Sequence, residues 1–82
     1  MLFKVVNDKE IHIIKSQSVQ TLQDLRNCVP QVFKQHPLNF YLAYIDEDGD
    51  EITLETDSDY NILIKAGLKN AKILIKEKIL NF

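Results

Sequence analysis

The sequence predicts an α+β domain: a five-stranded mixed sheet with two helices on one face, in the order β-β-α-β-β-α-β. Three observations carry this. The chain has 82 residues, which is one domain's worth and allows a single two-layer core. Apolar residues alternate with polar ones at period two in short runs along its length. Two stretches at helical spacing separate those runs into pairs, so the helices fall between strand pairs and cover one side of the sheet.

Residues 1–6 read as the first strand, with Phe3 and Val5 on one side and Lys4 on the other. Asn7-Asp8-Lys9 supplies turn residues, and Glu10 to Lys15 answers as the second strand of a hairpin. In that strand Ile11 and Ile13 share one side and His12 and Ile14 the other. Ser18 is the expected N-cap of the first helix, with Val19, Leu22, Leu25 and Val29 as its apolar stripe. Pro30 lacks a donor and crowds the preceding turn, so a break is expected there. One further turn through Val32 and Phe33 should then stop at His36-Pro37. Phe40 to Ile45 alternates again, Asp48-Gly49 signals a turn, and Glu51 to Glu55 returns with Ile52 and Leu54 at period two. Thr56 followed by Asp59 forms a capping box for a second helix, whose stripe is Tyr60, Leu63 and Ile64 and whose stop is Gly67. Ala71 to Lys76 is the last strand, Ile73 and Ile75 facing one way and Lys72 and Lys76 the other. The tail, residues 77–82, has no readable register. Placing the first and last strands side by side in the centre closes the sheet as a ubiquitin-like β-grasp. With no repeat, linker or low-complexity stretch, residues 1–82 read as one domain, expected to be excised from a longer protein.

Composition removes whole classes. Hydrophobic residues make up 45%, with only two glycines and two prolines, which argues against disorder or a fibrous repeat. A single cysteine, Cys28, rules out an intramolecular disulfide framework and fits a reduced, cytoplasmic setting. Cys28 lies beside the first helix's apolar stripe and reads as a small core residue. No apolar run reaches the roughly 18–20 residues of a membrane span, and no basic segment followed by an apolar stretch marks a secretory signal.

Charge is segregated. Ten Lys and Arg stand against twelve Asp and Glu, a net charge of −2. Yet eight of the acids fall between Asp46 and Asp59, where there is no Lys or Arg at all. Separation of this kind speaks to partners rather than to fold. The acidic run has three readings: a solvated surface, a cation site, or a docking surface for a basic partner. An EF-hand fits poorly. Counting from Asp46, position 6 is Glu51 instead of Gly and position 12 is Asp57 instead of Glu, with strand-like sequence on both sides. A weak response of the acidic loop to divalent cations stays open.

The run from Tyr44 to Tyr60, YIDEDGDEITLETDSDY, closely resembles the acidic OPCA motif of PB-one (Phox/Bem-one) domains. An aromatic-ended strand, an Asp-Glu-Asp-Gly-Asp turn, a short strand and an acidic helix start stand in that order. MLFKVVNDKEI fits the family's first hairpin, including a lysine in the first strand, and the resemblance spans residues 1–76. It implies a β-grasp fold and a binding role without catalysis, cofactor or metal. The partner would be the basic face of another PB-one domain, or a second copy of this chain met head to tail. Carried over by position, the acidic face would be Asp46, Glu47, Asp48, Asp50, Asp57 and Asp59, converging into one patch. The basic face would be Lys4, supplemented by His12, Lys15, Lys72 and Lys76. Strongly basic members carry Arg or Lys on the second strand, whereas this sequence has His12, Ile13 and Ile14. Such domains serve scaffolds and signalling assemblies.

Other chemistry finds little support. His12 and His36 lack metal-ligand spacing with each other or with Cys28. Clustered acids without a deep cleft have no means of raising one carboxyl pKa for acid catalysis. Nucleic acid would be repelled by the acidic run, and the lysines come without an aromatic platform. Tyr41, Tyr44 and Tyr60 read as packing residues.

Overall fold

The computed structural model describes residues 1–79. Its strands are β1 (Leu2–Asn7), β2 (Glu10–Lys15), β3 (Phe40–Ile45), β4 (Glu51–Leu54) and β5 (Asn70–Glu77), and its helices α1 (Leu22–Val32) and α2 (Asp57–Lys65). The sheet order is β2-β1-β5-β3-β4. Neighbouring β1 and β5 run parallel, and the other pairs are antiparallel. This is the expected β-grasp, with the first and last strands adjacent and β2 and β4 at the edges.

Alternation decides the layers. Phe3, Val5, Ile14, Leu42, Tyr44, Leu54, Ala71, Ile73 and Ile75 are buried on the face covered by the helices. Leu22, Leu25, Val29, Phe33, Tyr60 and Leu63 come down onto them. Each fully buried large side chain here contributes about 1.5–3 kcal/mol through lost water contact. Among the described residues the opposite face has no helix against it. It carries Leu2, Lys4, Val6, Ile11, Ile13, Lys15, Lys72, Leu74 and Tyr41, of which Leu2, Lys4, Ile11, Ile13, Lys15 and Lys72 are exposed.

Helix α1 departs from expectation twice. Ser18 does not cap it. Residues Ser16–Ser18 form a 3-10 turn in which the Ser18 hydroxyl donates to the Lys15 carbonyl at 2.7 Å. The cap is Thr21: its Oγ1 accepts from the Asp24 amide at 3.1 Å, and Asp24 Oδ2 accepts from the Thr21 and Gln20 amides. Val19 is therefore buried from outside the helix, where its carbonyl accepts from the Tyr60 hydroxyl at 3.0 Å. Nor does Pro30 break the helix, which continues to Val32. Proline forfeits the bond to the Arg26 carbonyl, but it sits on the exposed side between Val29 and Phe33, both buried. Those anchors hold the last turn, and the Phe33 amide still reaches the Val29 carbonyl at 3.0 Å. The chain leaves the helix at Phe33, before His36-Pro37.

Helix α2 follows its sequence signals. Thr56 caps it, and Gly67 at φ 71° follows the C-cap residue Ala66, in the left-handed region that glycine enters without a Cβ clash. Of the tail, Glu77 completes β5, and residues 80–82 lie outside the described part. Cys28 is half-buried against the core with its thiol pushed up in pKa by burial.

Candidate functional site: an acidic hairpin and a lysine-bearing sheet face

The β3–β4 hairpin builds its own acid cluster. Asp46 Oδ1 accepts from the amides of Asp48 at 3.0 Å and Asp50 at 2.8 Å, while the Asp46 amide donates to the Asp50 carbonyl. Gly49 takes φ 85° and donates to the Asp46 carbonyl, closing the turn. Aspartate suits this position because its short side chain mimics a backbone acceptor. The wrapping draws carboxylate oxygens of Asp46, Asp48 and Asp50 within 4.8 Å of one another. Glu47, Asp48 and Asp50 are exposed, and none of the four hairpin acids has a Lys or Arg partner among the described residues. Like charges this close repel, so the loop presents a negative site that gains from any incoming cation. Three carboxylates are also hard oxygen ligands of the kind that attract a divalent cation, although calcium takes 6–8 oxygens.

The remaining two acids stand at the other end of α2 from the residues that border the hairpin. Asp46, Glu47 and Asp48 border a shallow depression with Tyr44, Ala66 and Leu68, at the C-terminal end of α2. Asp57 and Asp59 start the same helix, a nine-residue element about 13 Å long. They are also committed elsewhere. Asp57 Oδ1 accepts from the Leu22 amide at 3.1 Å, tying the start of α2 to the first turn of α1. Asp59 Oδ2 accepts from the amides of Glu55 at 2.9 Å and Thr56 at 3.1 Å, and these bonds hold its carboxyl below the ordinary pKa. Of the six expected carboxylates, four belong to the hairpin turn and two, Asp57 and Asp59, accept backbone amides at the start of α2. Glu51 is drawn off by Lys76, with Nζ–Oε1 at 3.3 Å.

Register sorts the basic candidates. Lys4 on β1 stands between Ile13 on β2 and Lys72 on β5, and one row away Leu2 stands between Lys15 and Asn70. Lys4, Lys15 and Lys72 are exposed on the outer face without an acidic partner among the described residues. His12 is not with them. It pairs with Val5, so its ring points to the helix side, edge-on to Phe33 at 4.6 Å. There its Nε2 lies 2.7 Å from Glu10 Oε2, which also accepts from the Lys34 amide at 3.2 Å. The His12 bond is the main cause of the lowered Glu10 pKa. Parity sets His12 on the same side as Ile14, and the pairing with β1 makes this the face opposite Lys4. What parity alone overlooked is that the immediate neighbours of Lys4 include exposed isoleucine.

A five-stranded mixed sheet with β1 and β5 central and two helices on one face defines a ubiquitin-like β-grasp, and no helix of the described residues is long and apolar enough to cross a membrane. The family model for the PB1 domain matches residues 1–78, and the chain belongs to that family of protein-interaction modules. The chain is similar to the AtNBR1-PB1 domain, with TM-score 0.77 and 19% identity over 95% of this chain and 97% of that one. A cryo-EM structure of an AtNBR1-PB1 filament (L-type) aligns with TM-score 0.77 and 22% identity, over 95% and 97% of the two chains. The solution structure of the PB1 domain of Cdc24p (long form) aligns with TM-score 0.66 and 23% identity, over 92% and 94%. At such identities these likenesses establish the shared fold. No curated protein sequence matches the chain.

Proposed function

We propose that this domain docks front to back, its hairpin acids Asp46, Glu47, Asp48 and Asp50 receiving lysines from the outer sheet face of another PB1 domain or of a second copy of itself. The observation that carries the reading is the packing of three carboxylates within 4.8 Å on a loop with no Lys or Arg partner among the described residues. An ammonium group has three donors and no acceptor, so one lysine can satisfy two or three of these oxygens at once. Lys4 and Lys72, side by side on β1 and β5, are the complementary groups. Because the two surfaces differ, the contact is heterologous and grows into an open chain unless geometry closes it. The filament formed by the AtNBR1-PB1 relative supports assembly of this kind. Each exposed pair contributes at most about 1 kcal/mol, so several must act together, and added salt weakens the complex.

Light scattering against protein concentration and salt tests this. The domain should grow at low salt and shrink toward monomer as salt rises, with or without a chelator. Lys4→Ala and Asp48→Ala should each stop growth, and an equimolar mixture of the two should give a heterodimer. Growth abolished by chelator alone would favour a cation-responsive acidic loop; no pairing in the mixture would remove self-docking.

A further inference from the structure

We infer that the lysine side of this contact is a mixed apolar and basic surface, in which Leu2, Ile11 and Ile13 around Lys4 seat the apolar ground beside a second copy's acidic hairpin. The inference rests on the docking reading above and names what that reading leaves out. Leu2, Ile11 and Ile13 are 40%, 48% and 58% exposed, large values for apolar side chains of regular strands. They are not scattered: Ile13 pairs with Lys4, Ile11 with Val6, and Leu2 with Lys15, all on the uncovered face of two adjacent strands. Isolated exposed apolar residues are ordinary, whereas a contiguous group edged by unpaired charge marks a contact surface.

The occupant follows from what the other side of the molecule offers. The hairpin carboxylates of Asp46 and Asp48 line one depression together with Leu68 and Ala66, so acid and apolar groups stand side by side there. On the outer face of β1 and β2, base and apolar groups stand side by side. The two patterns are complementary in charge and in apolar character. When they meet, Lys4 enters the hairpin while Ile13 and Leu2 cover Leu68 and Ala66, excluding water from around the ion pair. Exclusion of water strengthens each charge pair and shields it from salt. A partner whose acidic hairpin lacked apolar neighbours would leave Ile13 uncovered and bind less well, which gives self-association a selectivity that charge alone lacks.

The test uses a charge-increasing substitution for which the two accounts predict opposite signs. The Asp48→Ala chain, with its lysine side intact, is titrated calorimetrically with the Lys4→Ala chain, whose hairpin is intact, at low and high salt. Ile13→Lys is then introduced into the Asp48→Ala chain. Ile13 is more than half exposed, so the variant keeps its fold, as circular dichroism will verify. Loss of the apolar contact should weaken pairing about tenfold at both salts, and the methyl resonances of Leu68 and Ala66 on the Lys4→Ala chain should shift on binding of the parent. Pairing that is unchanged or tightened by Ile13→Lys overturns the inference and leaves front-to-back docking intact. Unshifted Leu68 and Ala66 methyls overturn the assigned seat. If the parent pair itself does not form, the docking reading falls and the inference with it.

Discussion

Asp57 separates a structural carboxylate from a docking one, and Asp57→Ala is the perturbation that reads the difference. Its Oδ1 is the acceptor for the Leu22 amide at 3.1 Å, a bond between residues 35 apart in sequence that joins the starts of both helices. Leu22 opens α1, so its N–H has no partner within the helix. A hydrogen bond to a charged acceptor contributes about 1.5–3 kcal/mol, and the exposed Asp57 side chain lets water screen and replace part of this, leaving about 1 kcal/mol. Loss of a first-turn acid from α2 adds about 0.3–1 kcal/mol. The total, about 1–2 kcal/mol, corresponds to a fall in Tm of roughly 5–10 °C for a domain of this size. Thermal unfolding by circular dichroism measures it, and light scattering at low salt measures assembly in the same samples. Asp57→Ala should lose stability and keep most of its assembly. Asp48→Ala, whose side chain accepts no hydrogen bond among the described residues, should behave in the opposite way. An Asp57→Ala domain with Tm unchanged and assembly abolished would refute the division and return Asp57 to the docking surface.

Two further outcomes follow from individual bonds. Tyr60→Phe strands the Val19 carbonyl, which accepts from the Tyr60 hydroxyl at 3.0 Å in a buried position, and should cost about 1–2 kcal/mol; urea unfolding should show a lower midpoint at unchanged slope. Asp59 has its carboxyl lowered from 3.8 by bonds from the Glu55 and Thr56 amides. A depressed folded-state pKa means that its stabilisation is complete above the ordinary value and is lost as pH falls through the lower, folded one. Asp59→Asn should therefore flatten the acid limb of the stability–pH curve while leaving its shape near neutrality unchanged. An acid limb as steep as that of the parent would show that other carboxyls carry it.

Much of the fold is legible because alternation and turn chemistry are local. β2 and β3 occupy the residues their alternation marks out, and Ile73 and Ile75 lie opposite Lys72 as period two requires. Thr56, Asp59 and Gly67 bound α2 by cap and left-handed glycine, each decided within a few residues. The start of α1 was written in the same code. Thr21 precedes Asp24 by three positions just as Thr56 precedes Asp59, and this signal outweighs Ser18, whose hydroxyl is occupied by Lys15. Pro30 is different, since its tolerance depends on Val29 and Phe33 both finding the sheet. No local rule contains that.

The candidate site divides along the same line. By itself the sequence determined that the acids gather at one hairpin and one helix start, that a lysine stands in β1, and that the acidic turn closes on glycine. These follow from composition and from spacings shorter than one element. Only the tertiary structure decided how those charges are employed. The Leu22 amide takes Asp57, Lys76 takes Glu51, and the pairing of β1 with β2 sets Ile13, not His12, beside Lys4. Strand register and helix docking join residues too far apart in the chain for any local pattern to record.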